Sequence, residues 1–363
     1  MIVWVGVGAF ALAFGISLLA TSLSKAVAVR VGMMDIPRQH KMHVRPVPLL
    51  GGSAMFAAIV GPSLLAVAMA RVWSATNMPP WLPAELAPYV RGAAMKAPEA
   101  LVILAGALVL HVVGLIDDRK GLGPWLKLAA QSGVATAVVL LSDDVRILTV
   151  LGAAPSAIAS ILWLVVITNA FNFLDNMDGL SAGVAVICAV ALLGASAGIG
   201  QVFVSAWLCV LLGALIGFLP HNFPPASTFM GDAGSLLIGY MLGVLSCLTT
   251  YVHGQEAYYA YGIFVPLVVM AVPLYDMVTV ITLRIRDRRN PMVGDRRHFS
   301  HRLVRRGMSA RGAVLTIWLC TAGTAISASL LPRVKDPAGA ALVFLQTVAI
   351  LLIIALLEAC DKK

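Results

Sequence analysis

Five aspartates stand beside long apolar stretches of the sequence, where an acidic side chain is costly: Asp117, Asp118, Asp175, Asp178 and Asp232. The chain contains only 17 acidic residues among 363. A carboxylate in a membrane helix costs roughly 2.5–3.5 kcal/mol on insertion scales, so such residues favour a functional role. We therefore interpret the five side chains as one group. Gathered carboxylates suit a divalent cation, Mg²⁺ first, together with the phosphates of a ligand.

The first pair, Asp117 and Asp118, follows an apolar run. Adjacent carboxylates at the carboxyl end of a helix face the negative end of its dipole, which costs about 0.3–1 kcal/mol each. A cap for that helix is therefore not expected. A bound cation explains the pair better than the alternative, which is an ion pair with Arg119 or Lys120.

The second group lies between two apolar runs and contains Asn169, Asn172, Asp175 and Asp178. If the segment is helical, Asp175 and Asp178 share one face with Asn172. The alternative for Asp178 is an ordinary amino-terminal cap of the next helix. A cap does not explain two Asn and two Asp within ten residues, so the group predicts a polar site at a membrane boundary.

The third group is Asp232 with its flanking Gly231 and Gly234, at the start of an apolar run. Glycines let the backbone approach a ligand, and a helix amino terminus attracts anions. Asp232 could instead cap that helix. In this position it is also suited to holding Mg²⁺ beside a bound phosphate.

Two basic segments complete the set. In the segment 284–311, His298 and His301 could donate hydrogen bonds to a diphosphate, or the basic residues could serve only lipid contact and topology. Lys41 and His43 precede Gly51 and Gly52 in a weaker motif, which could be only a basic loop.

These residues must be positioned by membrane helices. Hydrophobic residues make up 60% of the chain and charged residues 12%, and the mean hydropathy is +0.91. The composition predicts an all-α, polytopic membrane bundle that forms a single domain over 1–363. We expect about 11 spans, with 10 possible, at 2–23, 49–70, 99–116, 126–141, 157–174, 179–197, 202–219, 233–250, 260–283, 312–331 and 339–358.

The sequence also predicts irregular shapes for some of these spans. Pro266 and Pro273 predict a kink in the span 260–283. The spans 126–141 and 157–174 could be re-entrant or broken. The five cysteines show no spacing typical of disulfides or zinc.

The distribution of basic residues predicts the topology. With the amino terminus outside, the inside loops are 24–48, 117–125, 175–178, 220–232 and 284–311. Most of the 26 Lys and Arg residues then lie inside, leaving six outside: Arg71, Arg91, Lys96, Arg146, Arg333 and Lys335. This assignment puts all five aspartates and the histidine segment on one side.

The net charge of +9 lies in loops without interleaved aromatic residues. This pattern indicates that the basic residues contact lipid headgroups and phosphates rather than nucleic acid.

Taken together, the ordered motifs resemble the polyprenyl-phosphate N-acetylhexosamine-1-phosphate transferases, a family that includes the phospho-MurNAc-pentapeptide translocase. The resemblance runs from Lys41 and His43 to His301. It implies an enzyme of the bacterial cytoplasmic membrane, with its active site facing the cytoplasm and a homodimer possible. It implies transfer of a sugar phosphate from a UDP-N-acetylhexosamine, UDP-GlcNAc first, to a polyprenyl phosphate such as undecaprenyl phosphate. UMP is released, and Mg²⁺, or alternatively Mn²⁺, is the cofactor.

The resemblance also implies residue roles. The metal would be held by Asp232, with Asp117 and Asp118. Catalytic roles fall to Asp117, Asp118, Asp175, Asp178, His298 and His301. Lys127 would lie near the sugar and phosphate, and Asn222 and Phe229 would hold and stack on the uracil. The full set implied to bind substrate is Lys41, His43, Lys127, Asn169, Asn172, Asn222, Phe229, Ser300 and Arg302.

The histidine segment departs from the family pattern. Family members carry His-x-His-His or three successive His, whereas this chain has His298, Phe299, Ser300 and His301. The role of the central histidine is therefore lost or moves to Ser300. The missing triple His favours a UDP-N-acetylhexosamine over the alternative, phospho-MurNAc-pentapeptide transfer. A proton-coupled transporter would hold carboxylates near the bilayer midplane, and a structural scaffold would not need the Asn and Asp group.

Overall fold

The computed structural model describes residues 2–36, 45–75, 78–251, 261–290 and 297–359. Helices dominate these ranges, which confirms the predicted all-α class. The helices are α1 (Ile2–Val31), α2 (Gly51–Ala75), α3 (Ala87–Met95), α4 (Ala97–Lys120), α5 (Pro124–Leu141), α6 (Ala153–Leu174), α7 (Leu180–Gly198), α8 (Val202–Asn222), α9 (Gly231–Leu248), α10 (Val265–Val269), α11 (Ala271–Arg286), α12 (Phe299–Arg305), α13 (Ala310–Ala328) and α14 (Pro337–Ala359). Two short strands, β1 (Met34–Asp35) and β2 (Val47–Pro48), pair antiparallel.

Within the described ranges, ten helices are long and apolar enough to span a bilayer, and a bent pair raises the number to 11. The predicted number of spans is confirmed. The bent pair is the segment 261–269 followed by α11, at an angle of 62°. Pro273, in the first turn of α11, has no N–H to donate to Val269, so the kink predicted from the prolines is also confirmed. The orientation of the amino terminus stays a prediction.

Two possibilities that the sequence left open do not hold. Helices α5 and α6 are continuous, so neither is a broken or re-entrant span. The segment that carries the second polar group is not helical throughout, because α6 ends at Leu174. The chain then turns through Gly179, at φ +72°, and enters α7 at Leu180. Asp175 and Asp178 therefore lie in a turn and do not share a helix face.

Helix α9 is the centre of the bundle, since nearly all of its residues are buried. Small residues bring its neighbours close. An added Cβ on Gly52 of α2, Gly114 of α4 or Gly239 of α9 would collide with the backbone of the facing helix. Close approach through small residues is a general mode of helix packing in membranes. It brings the carboxyl ends of α4 and α6 beside the amino terminus of α9.

The loop before α9 is attached to the start of α2. The Phe229 N–H donates to the Pro48 carbonyl at 2.9 Å, and the Gly51 N–H donates to the Phe229 carbonyl at 3.1 Å. The chain between α8 and α9 therefore lies against both the strand pair and α2. This places residues 223–230 at the same end of the bundle as the carboxylates.

Candidate active site

Two of the predicted aspartates meet at one lysine. Lys127, in the first turn of α5, lies with its Nζ 3.0 Å from Oδ2 of Asp117 and 2.7 Å from Oδ2 of Asp232. These residues come from α5, α4 and α9, so three helices converge at this point. The side chains are only partly buried, with 14% exposure for Asp117 and 26% for Asp232. A ligand can therefore reach the group.

Asp118 joins α4 to the amino terminus of α9. Its Oδ1 accepts a hydrogen bond from the Asp232 N–H at 2.8 Å, and its Oδ2 accepts one from the Ala233 N–H at 3.2 Å. The carboxylate thus lies at the positive end of the α9 dipole. Gly231 is required beside it, because its φ is +65° and a Cβ would collide with the Asp118 carboxyl group. Asp118 caps a helix distant in sequence, and its predicted role as a metal ligand stays a prediction.

Asp178 does not cap α7, the alternative raised from the sequence, because the cap position is Gly179 and no side chain caps it. Its Oδ2 instead accepts a hydrogen bond from the Ala226 N–H at 2.8 Å. Asp178 therefore holds the turn 175–179 against the loop 223–230.

Asp175 is the least engaged carboxylate of the five. Among the described residues no hydrogen bond reaches its side chain. Burial, and then the negative charges of Asp232, Asp118 and Asp178, raise the pKa of Asp175 well above its usual value. A cation or another positive ligand group would relieve this repulsion.

The donor set fits a divalent cation shared with a ligand. Asp117 and Asp232 both contact the Lys127 ammonium group, and the charges of Asp118, Asp178 and Asp232 act on Asp175, so the region carries excess negative charge. In the described ranges, however, no three His, Cys, Asp or Glu side chains are arranged to coordinate one ion. Mg²⁺ commonly binds through one or two carboxylates and completes its shell with water and phosphate oxygens. Asp232, together with either Asp117 or Asp175, fits this mode.

The two asparagines of α6 differ in their surroundings. Asn172 Nδ2 donates to Ser235 Oγ at 2.9 Å, and its amide also hydrogen-bonds to the Asp232 carboxylate. Asn172 therefore belongs to the carboxylate group. Asn169 donates to the Val165 carbonyl at 2.8 Å and to Gln131 of α5, so its amide joins two helices.

Asn222 is buried and holds two loops together. Its Oδ1 accepts from the Gly179 N–H at 3.0 Å, and its Nδ2 donates to the Thr228 carbonyl at 3.0 Å. The amide is thus engaged within the protein. Phe229 is partly buried next to the start of α2. The roles of both residues toward uracil stay predictions.

The histidine segment is fixed by a carboxylate inside a membrane helix. Nδ1 of His298 lies 2.7 Å from Oδ2 of Asp276, and the Phe299 N–H donates to Oδ1 of Asp276 at 3.1 Å. Asp276 lies on α11 and is fully buried. Because an ionised carboxylate only accepts, we assign the Nδ1 proton to His298, which leaves Nε2 for other contacts. His301 is also buried, and its ring centroid lies 6.2 Å from that of His298.

Ser300 connects this segment to the aspartate turn, because its Oγ donates to Oδ1 of Asn176. The histidines therefore lie beside residues 175–178. Arg302 makes a different contact, an ion pair at 2.8 Å with Glu358 of α14. That contact fixes α12 to α14. Lys41 and His43 lie outside the described residues.

The sequence interpretation missed three residues of this region. Asp276 lies inside the span predicted at 260–283, so the cost of a carboxylate in a membrane, applied within the span, would have identified it. Asn176 gave no signal beyond its neighbours. Arg284 is buried near the end of α11, with its guanidinium carbon 5.3 Å from the centre of the Phe173 ring. It looked like an ordinary basic residue of a cytoplasmic loop.

Comparison with known proteins defines the class. Residues 100–250 match the family described as glycosyl transferase family 4, a range that contains all five aspartates. The chain is 36% identical over 328 residues to the decaprenyl-phosphate N-acetylglucosaminephosphotransferase of Mycolicibacterium smegmatis, with 84% of this chain and 76% of the relative covered. This chain belongs to glycosyl transferase family 4.

Two other relatives carry related names. A probable undecaprenyl-phosphate N-acetylglucosaminyl 1-phosphate transferase of Bacillus subtilis is 31% identical over 324 residues, covering 86% of this chain and 81% of the relative. The undecaprenyl-phosphate alpha-N-acetylglucosaminyl 1-phosphate transferase of Escherichia coli K12 is 27% identical over 316 residues, covering 82% and 76%. The resemblance stated from the motifs is confirmed at the level of the family.

Proposed function

We propose that this protein transfers N-acetylglucosamine 1-phosphate from UDP-GlcNAc to a polyprenyl phosphate and releases UMP. The reaction would be the first membrane step of a cell-surface glycan pathway, on the cytoplasmic face of a bacterial inner membrane. The observation that carries the proposal is the meeting of Asp117, Asp232 and Lys127 at one end of the bundle. The names of the relatives support the sugar and the lipid acceptor.

The chemistry needs little from a protein base. An oxygen of the polyprenyl phosphate forms a bond to the phosphorus that carries the sugar, the bond from that phosphorus to the bridging oxygen breaks, and UMP leaves with that oxygen. A phosphate monoester has a second pKa of about 6, so the nucleophile is largely dianionic at neutral pH. In-line positioning and charge neutralisation are then the main requirements.

The residues of the site can meet those requirements. The Lys127 ammonium is placed to neutralise a phosphate oxygen. Asp232, with Asp117 or Asp175, would hold Mg²⁺, which supplies further neutralisation of the diphosphate when bound. Asp118 fixes the start of α9 and so sets the position of Asp232. With both ring nitrogens protonated, His298 would donate from Nε2 to a phosphate oxygen, while Asp276 orients the ring through Nδ1.

Two alternatives predict different products. A phospho-MurNAc-pentapeptide transferase would use another UDP-linked donor, and the absence of three successive histidines argues against it. A proton-coupled transporter would place its carboxylates near the midplane, whereas here they lie at helix ends. The named relatives also favour N-acetylglucosamine transfer.

The test is a donor panel with purified protein. The protein is incubated with undecaprenyl phosphate, Mg²⁺ and either UDP-GlcNAc, UDP-GalNAc or UDP-MurNAc-pentapeptide, and both UMP and the lipid product are measured. We expect UMP and lipid-linked sugar in equal amounts, with UDP-GlcNAc preferred and no UMP without the acceptor. Activity only with the pentapeptide donor would contradict the proposal. Flux into proteoliposomes without UMP release would favour the transporter.

A further inference from the structure

A cavity lies far from the carboxylates. It has a volume of about 920 Å³ and lies between α7, α10 and α13. Small side chains create it, chiefly Ala191, Gly194, Ala195 and Gly198 of α7 and Ala325 of α13. The size is at the upper end of the range of about 300–1,000 Å³ that is typical of small-molecule sites.

The cavity lies at the end of the bundle opposite the carboxylates. Helix α7 begins at Leu180, directly after the Asp175–Asp178 turn, and its second half lines the cavity. At 1.5 Å per residue, Gly194 lies about 21 Å along the helix from Leu180. The cavity is therefore not part of the candidate active site.

Basic residues line one edge of this apolar space. Arg333 and Lys335 follow α13 and contribute to the lining, together with Ser329 and Tyr251. Arg333 is exposed, and no carboxylate among the described residues pairs with it. The nearby Asp336 accepts a hydrogen bond from the Gly339 N–H at 2.7 Å. An apolar interior with cations at its edge is complementary to a lipid that has an anionic headgroup.

We propose that this cavity binds an anionic phospholipid of the leaflet opposite the carboxylates. An acyl chain would lie along the small residues of α7, and the phosphate would lie between Arg333 and Lys335. The polyprenyl acceptor is a poorer candidate, since its phosphate must reach the carboxylates at the other end of α7.

The experiment measures lipid retention. Purified, delipidated protein is titrated with phosphatidylglycerol or with phosphatidylcholine of the same acyl chains, and bound lipid is counted by native mass spectrometry. We expect the wild type to retain phosphatidylglycerol about 30-fold better, as two basic residues near a headgroup would provide. The double change Arg333→Gln and Lys335→Gln should reduce the retention of phosphatidylglycerol to that of phosphatidylcholine.

A second variant tests the cavity itself. Gly194→Leu adds a side chain where a Cβ meets no atom within 4 Å, so it should obstruct the cavity without distorting α7 and reduce retention of both lipids. Matched controls are Gly133→Leu, an equally open glycine on α5, and Arg71→Gln, an exposed arginine at the far end of α2. Both should retain phosphatidylglycerol as the wild type does, and melting temperatures report the folding of each variant.

Three outcomes would overturn the inference. The wild type could retain the two lipids equally, or Gly194→Leu could leave retention unchanged. The third is that only undecaprenyl phosphate displaces phosphatidylglycerol. UMP release in detergent should be the same in all variants, because none alters the carboxylate region. The inference can therefore fail while the proposed function stands, and the reverse also holds.

Discussion

The carboxylate group and the histidine segment lie side by side but are built differently. Around Lys127, negative charge exceeds positive charge, and Asp175 receives no hydrogen bond from the described residues. In the histidine segment two of the predicted site residues have carboxylate partners inside the protein: His298 has Asp276, and Arg302 has Glu358. The first region therefore has excess negative charge, which the proposed cation would neutralise. The second acts mainly by holding one imidazole in place.

This comparison predicts the largest effect for a change within the carboxylate group. Asp232→Asn removes one charge from the group and weakens the contact with Lys127. UMP release should fall about 100-fold to 1,000-fold, the range for loss of one preorganised electrostatic group. The matched control is Asp143→Asn, an exposed aspartate just beyond the far end of α5. If Asp232→Asn kept full activity, the carboxylates would not be the reaction centre.

A smaller loss is expected for the support of His298. Asp276→Asn removes the charge that orients the imidazole, and activity should fall about 10-fold to 100-fold, as for other hydrogen-bonded supports of site residues. In a double-mutant cycle with His298→Gln, the two effects should not add, because the residues act as one unit. Additive losses would show that Asp276 has a role independent of the histidine.

Acidic pH should weaken binding of Mg²⁺. The pKa of Asp175 is raised well above its usual value, so its proton must leave before a cation binds. Below that pKa, affinity should fall by up to about tenfold per pH unit for one displaced proton. In the cation-free protein, the contribution of Asp175 to the free energy of unfolding is present at low pH. This contribution is lost as the pH rises through the raised pKa.

The increase in melting temperature on adding Mg²⁺ measures this linkage. In the wild type the increase should grow with rising pH, and Asp175→Asn should flatten the dependence. An increase that is the same at all pH values in the wild type would show that Asp175 does not titrate with cation binding.

The smallest effect concerns the contact between the two regions. Ser300→Ala and Asn176→Ala each remove the same hydrogen bond. Such a bond contributes about 0.5–1.5 kcal/mol, so each change should reduce UMP release about twofold to tenfold. The double variant should be no worse than either single variant. A loss in Ser300→Ala as large as that in His298→Ala would instead indicate direct contact between Ser300 and a phosphate.

The two regions also differ in how far the sequence predicted them. The apolar runs, the number of spans and the bend at Pro273 follow from residue types and lengths, because a bilayer restricts a chain to helices of one approximate length. The aspartates were visible because acidic residues are rare and costly beside apolar runs.

The contacts among these residues were not predictable. Asp118 caps α9 from another helix, and Asp276 reaches His298 across a bend and a loop. Such pairings depend on how helices pack, which the periodicity of one segment does not specify. The predicted spans placed a loop at 175–178, and the shared face of Asp175 and Asp178 applied only if that segment were helical, which it is not because α6 ends at Leu174.

The central claim is that the carboxylate group holds a divalent cation together with the diphosphate of the donor. Binding of Mn²⁺ to the purified protein, followed by electron paramagnetic resonance with and without UDP-GlcNAc, tests it directly. We expect a bound ion that UDP-GlcNAc tightens, that Mg²⁺ displaces and that Asp232→Asn loses while Asp143→Asn keeps it. Equal Mn²⁺ binding by wild type and Asp232→Asn, unaffected by UDP-GlcNAc, would contradict the account.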